Sequence, residues 1–190
     1  MKRYLTLFAA LIVAACSGAK QAEAEKLEIS SPEGTLSMSF LLQDGVPMYT
    51  LSHKGEAVVL PSRLGFELRG TIKAEDVNIT PSGITKTDRK PSYMFDRNFE
   101  LIGSGTDTFD ETWEPVWGEE SKIRNHYNEL LVQLRQKDSG RLVNLRFRLY
   151  DDGLGFRYEF PAGQELNYFT IKEELTEFAL ASDCTAWWIP

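Results

Sequence analysis

The sequence is poor in the residues that build metal centres and disulfide frameworks. Its 190 residues include two cysteines and two histidines. His53 and His126 lie far apart along the chain, and no cysteine pair accompanies them, so the ligand spacing of a zinc site is missing. No G-x-S-x-G motif occurs, which removes one common sequence signature of a serine nucleophile. These absences disfavour a zinc enzyme and a Ser/His/Asp hydrolase.

Clustered positive charge is also missing. The chain has 28 Asp and Glu residues against 21 Lys and Arg residues, for a net charge of −7. Because phosphate binding depends on clustered cations, this balance argues against a nucleic-acid partner. The content of 42% hydrophobic and 12% aromatic residues is sufficient for a packed core. We therefore expect one acidic globular domain, with or without a leader.

The one long apolar run lies at the N-terminus. Lys2 and Arg3 precede the run Leu5–Ala15, which is too short for a permanent membrane span but right for a secretory signal. The run ends in Ala-Ala-Cys, which resembles the bacterial lipobox, so residues 1–16 are expected to be a signal peptide with a lipobox-like end, in which cleavage before Cys16 leaves this cysteine as the lipidated N-terminus. An ordinary signal cleavage beside an incidental Cys16 stays open.

The residues after the apolar run favour an anchored and exported protein. Residues 17–26 (SGAKQAEAEK) are small, polar and charged, as in a flexible tether. We expect a periplasmic or outer-membrane lipoprotein of a Gram-negative-type bacterium that contacts the membrane only through its lipid. Lipidation of Cys16 would leave Cys184 without a partner in the chain, and a disulfide between the two is the alternative.

The remaining chain, residues 27–190, has the period of β-strands. Alternating apolar residues start at Leu36 and stop before a turn at Gln43-Asp44-Gly45, and a second turn follows at His53-Lys54-Gly55-Glu56. Frequent Gly and Pro residues, among them Pro61, punctuate the run too often for long helices. Many short strands with turns between them predict an antiparallel sandwich or barrel.

The clearest predicted hairpin is Leu142–Tyr150, Asp151-Asp152-Gly153 and Leu154–Phe160. Its apolar residues alternate onto one face, and its arginines and Glu159 alternate onto the other. We expect Asp-Gly to supply the positive φ of a tight turn, and the arginines to pair with glutamate across strands. The segment Glu119–Leu131 fits a helix or a strand, and we favour a strand that begins near Arg124.

Three longer motifs resemble the N-terminal domain of glycoside hydrolase family 97. They are TFDETWEPVWGEESKIRNHYNEL (Thr108–Leu130), LRFRLYDDGLGFRYEFP (Leu145–Pro161) and NYFTIKEE (Asn167–Glu174). The resemblance extends from near Ser31 to the end of the chain. It implies an all-β, antiparallel β-super-sandwich of the galactose-mutarotase-like kind. It also implies exported bacterial α-glucosidases or α-galactosidases, in which this domain packs on a catalytic (β/α)8 barrel.

The same resemblance places the chemistry outside this chain. In the family, the catalytic carboxylates lie on the barrel, and glutamates hold a calcium ion, one of them expected shortly after the Trp-Ile-Pro motif. We therefore expect calcium in the full-length enzyme and no cofactor or metal ligand in this chain alone. No acid/base pair can be assigned here. The abundant carboxylates are interpreted as a solvated charge run: Glu111, Glu114, Glu119, Glu120 and Glu129.

The segment from Trp113 to Leu130 is the best candidate for the surface that meets the barrel and an α-linked oligosaccharide. The candidate pocket or interface residues are Trp113, Trp117, Glu119, Glu120, Arg124, Asn125 and His126. We expect Trp117 and its neighbours to be more exposed than the hairpin. The function expected is the N-terminal portion of a calcium-dependent, exo-acting α-glycosidase, cut before the barrel and inactive alone. A free-standing carbohydrate-binding lipoprotein is the alternative.

Overall fold

The computed structural model describes residues 25–69, 77–80, 83–86, 92–161, 169–185 and 187. Cys16 and most of the predicted tether therefore lie outside the described residues. All regular elements in the described part are strands. They are β1 (Glu25–Ser30), β2 (Leu36–Gln43), β3 (Val46–His53), β4 (Glu56–Arg63), β5 (Phe66–Arg69), β6 (Val77–Thr80), β7 (Gly83–Lys86), β8 (Ser92–Phe95), β9 (Phe99–Trp113), β10 (Ile123–Gln136), β11 (Leu142–Leu149), β12 (Leu154–Glu159) and β13 (Thr170–Glu174).

Two four-stranded antiparallel sheets form the body of the domain. Their strand orders are β1-β2-β3-β4 and β12-β11-β10-β9. A three-stranded sheet, β13-β5-β8, and the two-stranded pair β6-β7 complete the described strands. All of these pairings are antiparallel. The antiparallel β-sandwich predicted from the sequence is confirmed. None of the described residues forms a helix that could cross a membrane.

One apolar core lies between the two large sheets. Alternate residues of β2 and β11 are buried, because successive side chains of a strand point to opposite faces. Phe147 of β11 is fully buried, and its ring centroid lies 6.3 Å from Phe40, 6.5 Å from Tyr49 and 5.7 Å from Phe156. The predicted apolar face of the β11–β12 hairpin therefore packs into this core.

Two tight hairpins have the predicted turn residues. Asp44 and Gly45 have φ of 51° and 76°, and Lys54 and Gly55 have φ of 49° and 86°. Positive φ at both central residues is the geometry of a type I′ turn, whose twist matches that of the flanking strands. The β1–β2 and β2–β3 registers then place one apolar set from the three strands toward the core: Leu27, Ile29, Met38, Phe40, Tyr49 and Leu51.

The predicted turn conformation of the β11–β12 hairpin is wrong. Gly153 is absent from the residues with positive φ in the described chain. The connection instead uses four residues, Tyr150 to Gly153, and the Tyr150 N–H donates to the Gly153 carbonyl at 2.9 Å. A four-residue loop of this kind is built on ordinary negative-φ turns, so it does not need a left-handed glycine.

Strand β4 continues through Pro61, one of the residues that argue against long helices in this part of the sequence. Its pairing with β3 contains register shifts, and its other edge receives a short segment through the bridge between Val59 and Leu180. The Leu60 N–H donates to the Ala179 carbonyl at 2.7 Å. Proline is tolerated at such irregular edge positions because it interrupts no continuous ladder.

Strands β9 and β10 position the candidate site. They contain 15 and 14 residues and pair along their whole length, with a register shift opposite Gln133/Leu134. Strand β11 pairs with β10 only from Asn128 onward. Phe109–Trp113 and Ile123–Tyr127 therefore extend past β11 as a two-stranded ribbon. The predicted strand near Arg124 is confirmed, since β10 begins at Ile123.

Candidate functional site

The seven candidate residues all lie on this ribbon or on the loop that joins its strands. Trp113 ends β9, and Arg124, Asn125 and His126 belong to the start of β10. Trp117, Glu119 and Glu120 lie in the connecting loop. The structure thus gathers the candidate residues into one projection from the sandwich, although it divides them between two faces and the loop at the end.

Strand alternation assigns the ribbon residues to their faces. Leu130, Val132 and Leu134 are buried in the core, so the odd-numbered residues of β10 point to the outer face of the sheet. Residues directly opposite each other share a face. The outer face therefore presents the pairs Trp113/Ile123, Glu111/Asn125 and Phe109/Tyr127, and the inner face presents Thr112/Arg124, Asp110/His126 and Thr108/Asn128.

Aromatic contacts shape the outer face. The Phe109 and Tyr127 rings stack with centroids 5.3 Å apart, and Tyr150 lies 5.2 Å from Tyr127. The Arg148 guanidinium carbon lies 4.5 Å from the Tyr127 centroid. These contacts bury Tyr127 and leave Phe109 partly exposed. An exposed ring held rigidly by its neighbours offers apolar area to a sugar ring or to a protein at little entropic cost.

The loop after β9 exposes large apolar side chains. Trp117 is 88% exposed and Trp113 is 47% exposed. Neither Glu119 nor Glu120 forms an ion pair within the part of the chain that the structure describes. The prediction that Trp117 is more exposed than the β11–β12 hairpin is confirmed. An exposed indole of this size is typical of a surface that binds a partner or ligand.

A charged cluster occupies the inner face of the ribbon. The Arg124 guanidinium donates to both carboxylate oxygens of Asp110, at 2.8 and 2.7 Å. This hydrogen bonding, with a smaller contribution from His126, lowers the pKa of Asp110. Arg124 is therefore held by a partner on β9, and its side chain remains exposed to solvent.

Asp151 joins this cluster from the β11–β12 loop. Its carboxylate accepts the Glu33 N–H at 2.8 Å, and its backbone carbonyl accepts the Thr35 hydroxyl at 3.1 Å. Desolvation opposes its charge, but this N–H, nearby hydroxyls and His126 lower its pKa overall. The carboxylates of Asp151 and Glu33 also favour the charged form of Arg124. The charged cluster on the inner face of the ribbon therefore contains five residues: Glu33, Asp110, Arg124, His126 and Asp151.

The outer face of β10–β12 carries a network of arginines and glutamates. Arg146 donates to Glu159 at 2.7 Å and also contacts Glu129, while Arg148 donates to Glu129 at 2.9 Å. The predicted cross-strand pairing is confirmed. Glu129 was interpreted as part of a solvated charge run, and this is wrong, because Glu129 is buried within β10 beneath these arginines.

The described carboxylates whose pKa values are lowered are suited to binding and not to proton donation. Hydrogen bonds from Arg146, and secondarily from Arg157, lower the pKa of Glu159 to about 2. The pKa values of Asp110 and Asp151 are lowered as well. A general acid needs the opposite shift, toward the working pH. The arrangement can hold hydroxyl groups and neighbouring protein surface, and it assigns no general acid.

Several residues of the site cannot be predicted from the sequence alone. Phe109 and Asp110 lie within a recognised motif but gain their roles from pairing with Tyr127 and His126. Asp151 comes from a distant loop. The β9–β10 register would identify the first two, whereas the third depends on how the sheets pack.

Comparison with known proteins then decides the family. Residues 29–190 match the family model described as glycosyl-hydrolase 97 N-terminal. The chain belongs to this family. It is 25% identical, over 177 residues, to a retaining α-galactosidase of Bacteroides thetaiotaomicron, and the match covers 93% of this chain and 22% of that protein.

Solved structures of the family have the same fold. Glycoside hydrolase family 97 enzymes from Pseudoalteromonas sp. strain K8, in complexes with panose and with acarbose, match at 29% identity and a TM-score of 0.68. Each match covers 86% of this chain and 22% of the enzyme. A β-arabinopyranosidase, at 24% identity and a TM-score of 0.63, supports the fold alone. The chain spans about a fifth of the length of these relatives.

Proposed function

We propose that residues 27–190 are the N-terminal, pocket-forming and domain-packing portion of a calcium-dependent, exo-acting α-glycosidase of the α-glucosidase or α-galactosidase type. The observation that carries this proposal is the family match over residues 29–190, which covers only a fifth of each relative. The portion is inactive without the catalytic (β/α)8 barrel, because none of its described residues is assigned as a proton donor. The retaining α-galactosidase and the panose and acarbose complexes support an α-linked oligosaccharide substrate.

The ribbon and its loop are the contact surface in this proposal. Trp117 and Trp113 offer exposed indoles, which pack on the barrel or stack on a sugar ring at the edge of the pocket. Arg124, Asn125 and His126 offer donors and acceptors for hydroxyl groups or for interface residues. Glu119 and Glu120 supply charge at the rim of the same surface.

The calcium ion of this proposal belongs to the longer protein. Among the described residues, no group of three or more His, Cys, Asp or Glu side chains could hold a metal ion. These residues therefore do not fit a calcium site by themselves, and none of them is assigned as a ligand. The ion is proposed from family membership alone.

Export and anchoring are also part of the proposal. The apolar run that ends at Cys16, and the polar residues 17–26 after it, support a lipid anchor that tethers the domain at a membrane. Multiple acyl chains hold a protein at a bilayer firmly, whereas one chain holds it marginally. The enzyme would then work on glycans at the periplasmic or outer-membrane surface.

The proposal is tested by reading the gene past codon 190 and producing both the 190-residue chain and the longer protein. Acarbose is titrated into each and followed by tryptophan fluorescence. We expect saturable binding by the longer protein and none by the chain alone. A stop codon directly after Pro190, or saturable acarbose binding by the chain alone, would contradict the proposal and favour a free-standing carbohydrate-binding lipoprotein.

A further inference from the structure

One edge of the β12-β11-β10-β9 sheet pairs with no further strand among the described residues. Strand β9 is the last strand of that sheet, and every residue from Ser104 to Trp113 is exposed. From Gly103 onward its register with β10 is uninterrupted. Edge strands are commonly protected by lysine, proline or bulges, because unpaired backbone groups attract another strand. The stretch from Ser104 to Trp113 has no lysine and no proline.

Alternate backbone groups of β9 point away from β10. The Thr108 N–H donates to the Asp107 carboxylate at 2.8 Å, and this bond lies outside the ladder with β10. In an antiparallel strand, alternate residues direct their backbone groups to opposite sides. The N–H groups of Thr106, Asp110 and Thr112 therefore point outward like that of Thr108. A row of outward donors and acceptors at this spacing is what a further strand requires.

The side chains beside this edge alternate in chemistry. The outer face of β9 presents Asp107, Phe109, Glu111 and Trp113 in succession, so acidic and aromatic residues follow one another. Within the described part of the chain, neither Asp107 nor Glu111 forms an ion pair. Cross-strand pairs are favourable when opposite charges face each other and when aromatic residues face apolar ones. A matching strand therefore alternates basic and apolar residues on its outer face, which contains every second residue of that strand.

Open space lies along the same edge. A groove of about 520 Å³ separates β9 from β1. It is lined by Glu28, Ile29, Ser30, Thr106, Asp107, Thr108 and Asn128. Asp107 adds a carboxylate to the side on which a new strand would lie, whereas the Glu28 carboxylate is paired with Lys26. A second copy of β9 is a poor occupant, because all four charged residues of that strand are acidic.

We propose that the β9 edge is a strand-addition site for an extended segment in which every second residue, on one face of the segment, is alternately basic (Lys or Arg) and apolar. The occupant is a strand supplied by the remainder of the proposed glycosidase polypeptide, and this identity of the occupant rests on the proposed function. Addition would turn the marginal two-stranded ribbon into a three-stranded one, which is far more stable. It would also fix the loop that carries Trp117 in place.

The site is tested on the 190-residue chain with a lysine–valine peptide of about ten residues, in which lysine and valine take turns at every second position and threonine fills the positions between them. Binding is followed by titration and by amide hydrogen exchange of Ser104–Trp113. Thr106→Pro removes an outward N–H and leaves the ladder with β10 intact, and Thr106→Ala is the matched control. We expect about tenfold weaker binding for the proline variant and a change within about twofold for the control.

Two further comparisons keep the test decisive if the proline variant misfolds. The double variant Asp107→Lys with Glu111→Lys should lose the lysine–valine peptide and bind a glutamate–valine peptide instead. A peptide of the same composition with its lysines and valines in separate blocks should not protect the edge. Equal binding of the blocked peptide, or unchanged binding by Thr106→Pro or by the charge-reversed variant, would overturn the proposal.

Hydrogen exchange and glycosidase activity of the longer protein distinguish a failure of this inference from a failure of the proposed function. If β9 is paired there, the amides of Ser104–Trp113 exchange more slowly than in the 190-residue chain, and Thr106→Pro restores fast exchange. Slow exchange in a protein without glycosidase activity would support the strand-addition site while contradicting the proposed function. Fast exchange in an active glycosidase would refute the strand-addition site alone.

Discussion

Replacing Trp117 by alanine separates a surface role from a core role. The indole is 88% exposed in this chain, so its truncation removes few protein contacts. We expect the free energy of unfolding of the 190-residue chain to change by no more than about 0.5 kcal/mol. Phe147→Ala is the contrasting control, because its ring is fully buried among three aromatic rings. That variant should lose about 3–5 kcal/mol.

The longer protein should respond in the opposite way. An indole covered by a neighbouring domain removes about 150–250 Å² from water, which corresponds to an upper limit of about 4–6 kcal/mol at about 25 cal/mol per Å². Truncation of a central interface residue often costs 2 kcal/mol or more. We therefore expect Trp117→Ala to weaken domain packing by about 2–4 kcal/mol, and to lower turnover as well.

The assays are urea unfolding followed by far-ultraviolet circular dichroism for the chain, and calorimetry with turnover per folded molecule for the longer protein. The reasoning is refuted if Trp117→Ala destabilises the isolated chain by more than about 2 kcal/mol and leaves turnover of the longer protein unchanged. In that case the loop would be ordinary core, and its assignment as a contact surface would be wrong.

Three further perturbations test the fold and the anchor. The pKa of Glu159 is lowered from 4.5 to about 2, chiefly by Arg146, so its stabilising contribution is present above pH 4.5 and is lost as pH falls through about 2. Glu159→Gln should therefore reduce stability at pH 7 and flatten its decline between these two values in urea unfolding. Gly65→Ala should cost about 1–3 kcal/mol, because its φ is +153° and a Cβ there would lie 2.5 Å from a backbone carbon, whereas Gly155→Ala meets open space and should be nearly neutral. Cys16→Ala should release the protein from the membrane fraction of fractionated cells, and equal membrane association would count against a lipid anchor.

The strands that can be predicted from the sequence are those in which apolar and polar residues alternate, so that one face of the strand is apolar and the other is polar. Strands β2 and β11 show strict alternation, and each alternate apolar residue is buried in the core. Strand β9 carries no such signal, since its middle contains Gly103, Gly105 and several polar residues that disfavour strands. It is a strand because β10 pairs with it along its length. That cause is nonlocal, so the sequence pattern alone does not predict it.

The candidate site is also only partly predictable from the sequence. The sequence marks Trp113–Leu130 as unusual, and family motifs make that segment a site, but the partners of its residues come from elsewhere. Arg124 is held by Asp110 across the strand pair, and Asp151 arrives from the β11–β12 loop. The burial of Glu129 also depends on arginines of the neighbouring strand, so counting charges along the chain gave the wrong environment.

The most direct measurement of the central claim is hydrolysis of aryl α-glucoside and aryl α-galactoside by the two proteins side by side, in the presence of calcium. We expect no turnover by the 190-residue chain, and turnover of one of the two substrates by the longer protein that is lost when a chelator removes calcium. Turnover by the purified 190-residue chain, or a longer protein that hydrolyses neither glycoside, would contradict the account.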